Sequence, residues 1–282
     1  MDLQLTDNVV FLTGASGGIG RALALEFAAE GAKLALVGGT KHAEMEAWLA
    51  AQPWRERALA LHADTTSTLE VDVAMEKARE HFGRVDVCIA NAGRWTPEAK
   101  LLHRADEQRI RANLEVNLFG SIWTARAFFD ALSRSSPRRD GRGACLLFIG
   151  STAGRFGEKG HAEYAAGKAA LHGLVRTLKN EIVELDPWGR VNLIEPGWTV
   201  THMARPALQE PGTIARVVRT MPLRQLARAK DIARTAVFLA SPAASRHVTG
   251  ETITVAGGME GRTLWEADDI DEDRVRRRLE QE

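Results

Sequence analysis

Residues 9–30 read VVFLTGASGGIGRALALEFAAE, and they indicate most clearly which fold the chain adopts. The apolar, β-branched run at 9–13 predicts a strand that is buried on both faces. Four glycines within 14–20 follow it directly, and 21–30 is rich in the strong helix formers alanine, leucine and glutamate. A strand, a glycine turn and a helix in this order bring backbone N–H groups to the place where dinucleotide phosphates bind. A glycine-rich turn that binds no ligand is the alternative.

The rest of the chain alternates apolar runs with helical patterns. Further strands are predicted at 33–37, 58–62, 85–90, 146–149, 190–194 and 252–255. Helices are predicted at 42–51, 69–82, 104–131, 162–184 and 231–239. Such alternation predicts an α/β fold, a Rossmann-type doubly wound parallel sheet of about seven strands with helices on both faces. Ligands of such sheets bind outside the carboxyl ends of the strands.

Length and composition restrict the class of protein. The 282 residues suit one domain at 1–260, followed by a charged C-terminal tail at 261–282. The 37 basic and 37 acidic residues balance, which argues against nucleic acid or an anionic membrane as a partner. Cys88 and Cys145 lie in apolar runs without disulfide or metal-ligand spacing, and no apolar run reaches membrane-span length. We therefore expect a cytoplasmic protein without a catalytic metal.

A second informative stretch is STAGRFGEKGHAEYAAGK at 151–168, which contains the one tyrosine of the chain, Tyr164. Lys168 lies four residues further on, so both side chains share one face of the predicted helix. A nearby ammonium lowers the pKa of a phenol, and the pair then suits general acid/base chemistry on a carbonyl or an alcohol. Ser151 follows the predicted strand at 146–149, where its hydroxyl would face the same crevice. An ordinary exposed helical pair is the alternative for Tyr164 and Lys168.

Several short motifs occur in a specific order between residues 5 and 259. They are TGASGGIG from Thr13, Asn91-Ala92-Gly93, Asn117, Ser151, YAAGK from Tyr164, and Pro196-Gly197. With this set the chain resembles the short-chain dehydrogenase/reductase family in its single-domain form, particularly members of the 3-oxoacyl-carrier-protein reductase and glucose dehydrogenase type. The resemblance implies an NAD(P)-dependent oxidoreductase that interconverts a ketone and a secondary alcohol. The alternative is a non-catalytic dinucleotide-binding sensor or structural subunit.

The resemblance also implies roles for individual residues. Tyr164 is the general acid/base, Lys168 lowers its pKa and binds the nicotinamide ribose, Ser151 holds the substrate oxygen, and Asn117 orders a proton-relaying water. The residues implied to bind the cofactor, besides Tyr164 and Lys168, are Gly14, Ser16, Gly18, Ile19, Gly20, Gly39, Thr40, Asp64, Asn91, Ala92, Gly93, Pro196, Gly197, Thr199 and Thr201.

Residues 38–41, Gly-Gly-Thr-Lys, bear on the choice of cofactor. Family members that use NAD usually carry an acid here, and those that use NADP often carry an arginine. Because no acid is present to repel a 2′-phosphate, NADP is slightly preferred over NAD. Thr40 and Lys41 either hold that phosphate or form a solvated turn.

The substrate side of the site is less defined by the sequence. Besides Ser151, the positions of His161, Trp198, His202 and Met203 place them near a small carbonyl or alcohol substrate. A satisfied or surface histidine and a packing tryptophan are the alternatives. The stretch 203–221 is expected to form a lid over the site.

Three further regions leave alternatives open. The resemblance implies a homo-oligomer, a tetramer or dimer, formed through the helices that carry Asn117 and Tyr164. Apolar residues on these helices, among them Phe128 and Leu171, suit either an interface or the core. The arginine-rich loop at 133–143 is either an anion site or solvated, and the C-terminal tail either covers a neighbouring subunit's pocket or is disordered.

Overall fold

The computed structural model describes residues 1–201 and 208–280. Its strands are β1 (Val9–Thr13), β2 (Lys33–Gly38), β3 (Ala58–His62), β4 (Val87–Ala90), β5 (Cys145–Ile149), β6 (Arg190–Pro196), β7 (Thr199–Val200), β8 (Ala227–Arg228) and β9 (Thr252–Val255). Seven of them form one sheet in the order β3-β2-β1-β4-β5-β6-β9, and every neighbouring pair in it is parallel. The strand order reverses direction between β1 and β4, which is where such sheets bind ligands. The predicted fold class is confirmed.

Helices cover both faces of this sheet. They are α1 (Gly18–Ala29), α2 (His42–Ala50), α3 (Thr68–Phe82), α4 (Glu107–Leu114), α5 (Gly120–Ser133), α6 (Thr152–Phe156), α7 (Ala162–Leu185), α8 (Thr213–Val218), α9 (Ala229–Ala240), α10 (Pro242–Ser245) and α11 (Glu272–Glu280). Short 3-10 turns lie at Arg55–Arg57, Leu102–Arg104 and Ala267–Asp269. No helix within residues 1–201 and 208–280 is long and apolar enough to cross a membrane.

The helical region predicted at 104–131 differs in detail from the structure. It begins only at Glu107, because the Asp106 side chain accepts a hydrogen bond from the Arg109 N–H and caps the helix. A π-helical turn, Glu115–Phe119, separates α4 from α5 and contains Asn117. Such turns are frequent at functional sites because they displace a side chain from the regular helical position.

The core has two layers, one on each face of the sheet. Within β1, Val9 and Phe11 pack with α3, α5 and α7, whereas Val10 and Leu12 pack with α1 and α9. Successive strand residues point to opposite faces, so a strand covered on both sides must be apolar throughout. The predicted interface candidates Phe128 and Leu171 are fully buried in this core of their own chain.

A third apolar cluster joins the C-terminal tail to residues 208–226. Ile214 and Val218 of α8 pack there with Ile270 and with Val275 of α11. The indole N–H of Trp265 donates to the Met221 carbonyl at 3.0 Å. Of the two expectations for the tail, disorder is wrong for residues 261–280, because they pack on their own chain.

The loop at 133–143 is attached to its surroundings through its arginines. Arg138 forms ion pairs with Asp140 and with the buried Asp86. Arg142 donates to the carbonyl oxygens of Gln4 and Thr6. These guanidinium groups already have anionic or carbonyl partners, so the structure gives no support to an anion site here.

Candidate active site

The glycine turn after β1 is packed too tightly for side chains. Gly14 has φ +64°, and a Cβ there would lie 2.8 Å from the Ala92 Cα. A Cβ on Gly20 would lie 2.2 Å from the Gly14 carbonyl oxygen. Helix α1 then starts at Gly18 without a capping side chain and without an acid in its first turn. Its first N–H groups therefore suit an anionic ligand, and the turn fits the pyrophosphate of a dinucleotide.

Asn91 fastens the end of β4 to this turn. Its side-chain amide donates to the carbonyl oxygens of Thr13 and Gly14 at 2.9 and 3.1 Å. The Thr13 hydroxyl in turn accepts from the backbone N–H groups of Asn91 and Ala92. The structure thus brings Asn91, Ala92 and the glycine turn together, with the Asn91 amide holding the backbone rather than free for a ligand.

The end of β2 presents no acid. The Gly39 carbonyl accepts from the His42 N–H, Thr40 is exposed, and the exposed Lys41 lies 4.0 Å from Glu44. Asp64, at the end of β3, is exposed and accepts hydrogen bonds from both the backbone N–H and the hydroxyl of Thr66.

The end of β6 lies across the same crevice. A Cβ on Gly18 would lie 2.9 Å from the Thr201 Cβ, so Thr201 borders the start of α1. The Thr199 hydroxyl donates to the Gly197 carbonyl at 2.9 Å, and Gly197 packs against Ala256. The 196–201 segment therefore borders the glycine turn. Ser16 lies in that turn, and Ile19 lies in the first turn of α1.

Ser151 and Tyr164 meet at the end of β5. The Ser151 hydroxyl accepts from the Ala153 N–H at 3.1 Å and caps α6. It also hydrogen-bonds the Tyr164 hydroxyl, which lowers the pKa of the phenol, but burial raises that pKa more strongly. The carboxylate of Glu158 raises it further. The net pKa of Tyr164 lies above its ordinary value, so the phenol carries its proton at neutral pH.

This balance corrects the expectation that Lys168 lowers the pKa of Tyr164. The Lys168 ammonium lies 5.9 Å from the centre of the Tyr164 ring and donates to the Ile149 carbonyl at 2.9 Å. Burial lowers the pKa of Lys168 itself to about 8. The amine is still mostly charged at pH 7, but it is not among the causes that shift the pKa of the phenol, which are burial, the Ser151 hydrogen bond and the Glu158 charge.

Asn117 and Lys168 converge on Gly93. A Cβ on Gly93 would lie 3.1 Å from the Asn117 Oδ1 and 3.4 Å from the Lys168 Nζ. Asn117 is fully buried, donates to the Arg94 carbonyl at 2.8 Å and accepts from the Arg94 N–H at 3.1 Å. Only glycine leaves room at this junction, and the amide oxygen and the amine face one small space.

The residues predicted to contact the substrate lie in different surroundings. His161 is buried beside Tyr164, and its Nδ1 has no hydrogen-bond partner within the part of the chain that the structure describes. Trp198 packs with the cluster of α8 and the tail, in agreement with its alternative as a packing residue. His202 and Met203 lie outside the described residues.

Sequence reasoning missed four residues beside the phenol. The Trp95 ring lies 3.9 Å from His161 and 4.9 Å from Tyr164, centre to centre. Arg109 and Glu163 form an ion pair next to Tyr164. Glu158, whose pKa burial raises and the Arg216 guanidinium lowers, adds negative charge. Trp95 directly follows residues 91–94 at the end of a strand, and this position could have identified it. Nothing in the sequence marks Arg109, Glu163 or Glu158.

No group of three or more histidine, cysteine or acidic side chains in residues 1–201 and 208–280 is arranged to hold a metal ion. Buried Cys88 and Cys145 are both free thiols.

Comparison with known proteins agrees with this geometry. A family model described as enoyl-(acyl carrier protein) reductase matches residues 14–260. The 3-oxoacyl-[acyl-carrier-protein] reductase FabG of Escherichia coli is 34% identical, over 91% of this chain and 99% of the relative. The cyclohexanol dehydrogenase of a Rhodococcus species is 31% identical, over 92% of this chain and 98% of the relative.

A solved structure gives the same result. The short-chain dehydrogenase/reductase from Brucella melitensis described as a glucose/ribitol dehydrogenase is 30% identical, with a TM-score of 0.81 over 90% of this chain and 97% of that one. The chain therefore belongs to the short-chain dehydrogenase/reductase family and is an NAD(P)-dependent oxidoreductase that interconverts ketones and secondary alcohols.

Proposed function

We propose that this protein is an NADP(H)-dependent reductase that converts a small ketone to a secondary alcohol with Tyr164 as the proton donor. The observation that carries this proposal is the placement of the buried Tyr164 phenol at the end of β5, where it is hydrogen-bonded to Ser151 and the Lys168 amine lies 5.9 Å from the centre of its ring. A phenol that keeps its proton at neutral pH is the form that can donate to a carbonyl oxygen. In the reverse direction the same group, once deprotonated, accepts the proton of the alcohol.

The remaining site residues support proton donation. Ser151 shares a hydrogen bond with the phenol and can hold the substrate oxygen within reach of it. Lys168, charged below a pKa of about 8, places a positive charge beside the alkoxide that forms. Asn117 is positioned, through its Oδ1 near the Lys168 amine, to hold a water that returns a proton.

The cofactor supplies the hydride when it is bound. The glycine turn with Ser16 and Ile19 would hold the pyrophosphate, Asp64 the adenine, and Lys168 the nicotinamide ribose, while Asn91 would border that ribose and fix the backbone of the turn. Pro196, Gly197, Thr199 and Thr201 would border the nicotinamide.

The preference for NADP rests on the end of β2. Gly39 and Thr40 offer no carboxylate to pair with a ribose 2′-hydroxyl or to repel a 2′-phosphate. The exposed Lys41 is the nearest cation in sequence and can approach that phosphate.

The relatives differ in what their names say they act on, an acyl-carrier-protein thioester in one case and cyclohexanol in another. A secondary alcohol or its ketone is common to both, so we propose that this chain acts on such a group.

Buried free thiols at Cys88 and Cys145 suit a reducing cytoplasm. Exposed Phe119 at the end of the π turn, stacked on Trp123 of α5, suits an oligomer contact there.

Calorimetric titration with NADPH and NADH tests the cofactor, and tighter binding of NADH would contradict the NADP preference. The Tyr164→Phe variant tests the chemistry. We expect it to bind NADPH like the wild type and to reduce a ketone about 10²–10⁴-fold more slowly. Wild-type turnover in that variant would show that Tyr164 is not the proton donor.

A further inference from the structure

The Trp95 indole lies directly beside the phenol of Tyr164. Its ring is perpendicular to the Tyr164 ring at 4.9 Å between centres, and it stacks on His161 at 3.9 Å with an angle of 30° between the planes. His161 is 5% exposed, and Trp95 is only partly buried. One side of the indole is therefore supported by buried protein, while the ring still reaches solvent beside the reacting hydroxyl.

The backbone on the amino side of Trp95 is held by Asn117. The Asn117 side chain both donates to the Arg94 carbonyl, at 2.8 Å, and accepts from the Arg94 N–H, at 3.1 Å. Asn117 is itself fully buried in the π turn. The residue preceding Trp95 is thus fixed to the same side chain that borders Lys168.

The backbone on the carboxyl side is held by Arg109. Its guanidinium donates to the Glu98 carbonyl at 2.8 Å, to the Gly160 carbonyl at 3.3 Å and to the Glu163 carboxylate at 2.7 Å. The Lys100 N–H also donates to the Gly160 carbonyl at 2.9 Å. Residues 94–100 are therefore attached to the segment just before Tyr164, and the indole is preorganised.

The indole of Trp95, which rests on the buried His161, is flat and largely apolar. Burial and the Arg109 charge lower the pKa of His161, so its imidazole is neutral at pH 7. A rigid, flat wall at a set distance from the phenol favours a substrate group that is itself rigid, because a ring loses little conformational freedom when it packs there. A flexible acyl chain would lose more freedom for the same contact.

We infer that Trp95 is a specificity-determining residue, whose indole packs against an apolar ring that contains or flanks the substrate carbonyl. This inference rests on the proposed function and narrows its substrate to cyclic ketones and the corresponding alcohols. His161 and Arg109 are positioning residues that hold the indole in place.

The test compares cyclohexanone with 2-hexanone, which have the same number of carbon atoms, using the full-length protein and NADPH or NADH. We expect the wild type to have the higher kcat/KM for cyclohexanone. Trp95→Ala should lower kcat/KM for cyclohexanone by about 10-fold to 100-fold and that for 2-hexanone by less than about threefold. Trp95→Phe, which keeps a flat ring, should retain most of the preference. Trp188 is a matched control, because it precedes β6 at the opposite end of the sheet. Trp188→Ala should change kcat/KM for neither ketone.

Each contrary outcome has a distinct meaning. An equal fall for both ketones in Trp95→Ala and Trp95→Phe would overturn the inference, because Trp95 would then act only by supporting Tyr164. A wild type that reduces 2-hexanone better than cyclohexanone would overturn the inference and leave the proposed function intact. A wild type that reduces neither ketone, and oxidises neither alcohol, would overturn both.

Discussion

Arg109 and Glu163 form an ion pair that is almost completely removed from water, with Nε 2.7 Å from Oε1 and side chains 7% and 1% exposed. The pair joins α4 to α7 one residue before Tyr164. The second carboxylate oxygen of Glu163 is buried without a hydrogen-bond partner in the part of the chain that the structure describes. Compensation for the buried carboxylate therefore depends mainly on Arg109.

Arg109→Leu should consequently destabilise the protein strongly. Removing one partner of a buried pair leaves an uncompensated charge, and we expect the free energy of unfolding to fall by about 3–5 kcal/mol in urea titrations. Arg111→Leu is the matched control, since its pair with Glu107 is 73% and 77% exposed. The control should lose less than about 1 kcal/mol, and equal losses in the two variants would contradict the role of burial.

The lowered pKa of Lys168 predicts a pH-dependent stability. Between pH 8 and 10.5 the unfolded chain keeps a proton that the folded chain has lost, so folded wild type gains stability as the pH rises through this window. Lys168→Met lacks this gain. The stability of wild type relative to the variant should therefore rise by on the order of 3 kcal/mol from pH 7 to 11.

Urea titrations of both proteins across that range measure the effect. The raised thiol pKa values of Cys88 and Cys145 act in the opposite direction but are common to both proteins and cancel in the difference. A difference that does not change with pH would show that Lys168 titrates normally.

Gly93→Ala should impair activity more than stability. The added methyl group would lie 3.1 Å from the Asn117 Oδ1 and 3.4 Å from the Lys168 Nζ, so one of these groups must move. We expect kcat to fall at least about 10-fold, since small displacements of catalytic groups reduce rates strongly. Gly173→Ala, in α7 with open space around the new methyl group, should keep full activity and gain about 0.5–1 kcal/mol of stability. Full activity in Gly93→Ala would show that the junction is not tight.

The packing of the tail on α8 predicts an effect on substrate binding. Val275 is 3% exposed in the cluster that contains Ile214 and Val218. Val275→Asn should loosen α11, raise KM for the ketone severalfold and leave NADPH affinity unchanged, because α8 lies near Glu158 and Tyr164 through Arg216. Arg278→Asn, on the exposed face of α11, is the control. Limited trypsin digestion should release the tail faster from Val275→Asn, and identical digestion and KM would argue against a functional role for this packing.

The order of the strands along the chain and the general position of the site could be predicted from the sequence. Strands such as β1 and β5 are buried on both faces, so they read as unbroken apolar runs that need no knowledge of their neighbours. In a parallel sheet the carboxyl ends of all strands lie at one edge, which is why Gly14, Asn91 and Ser151 could be assigned to one crevice.

The electrostatics of the site were decided only by the tertiary structure. The spacing of Tyr164 and Lys168 predicts a lowered phenol pKa, but the structure shows that burial raises it. Burial depends on every element that packs around a group, so the spacing of Tyr164 and Lys168 cannot reveal how buried the phenol is.

Contacts between residues that lie far apart in the sequence could not be predicted from it either. Arg109 and Glu163 are 54 positions apart, and Trp265 reaches Met221 across 44 positions. The layered α/β fold and the available chemical groups could be predicted from the sequence, because apolar periodicity and local motifs are short-range properties. The tertiary structure decided which aromatic ring stands beside the phenol, which charge is buried and what the tail covers, because these depend on packing between segments that carry no shared local signal.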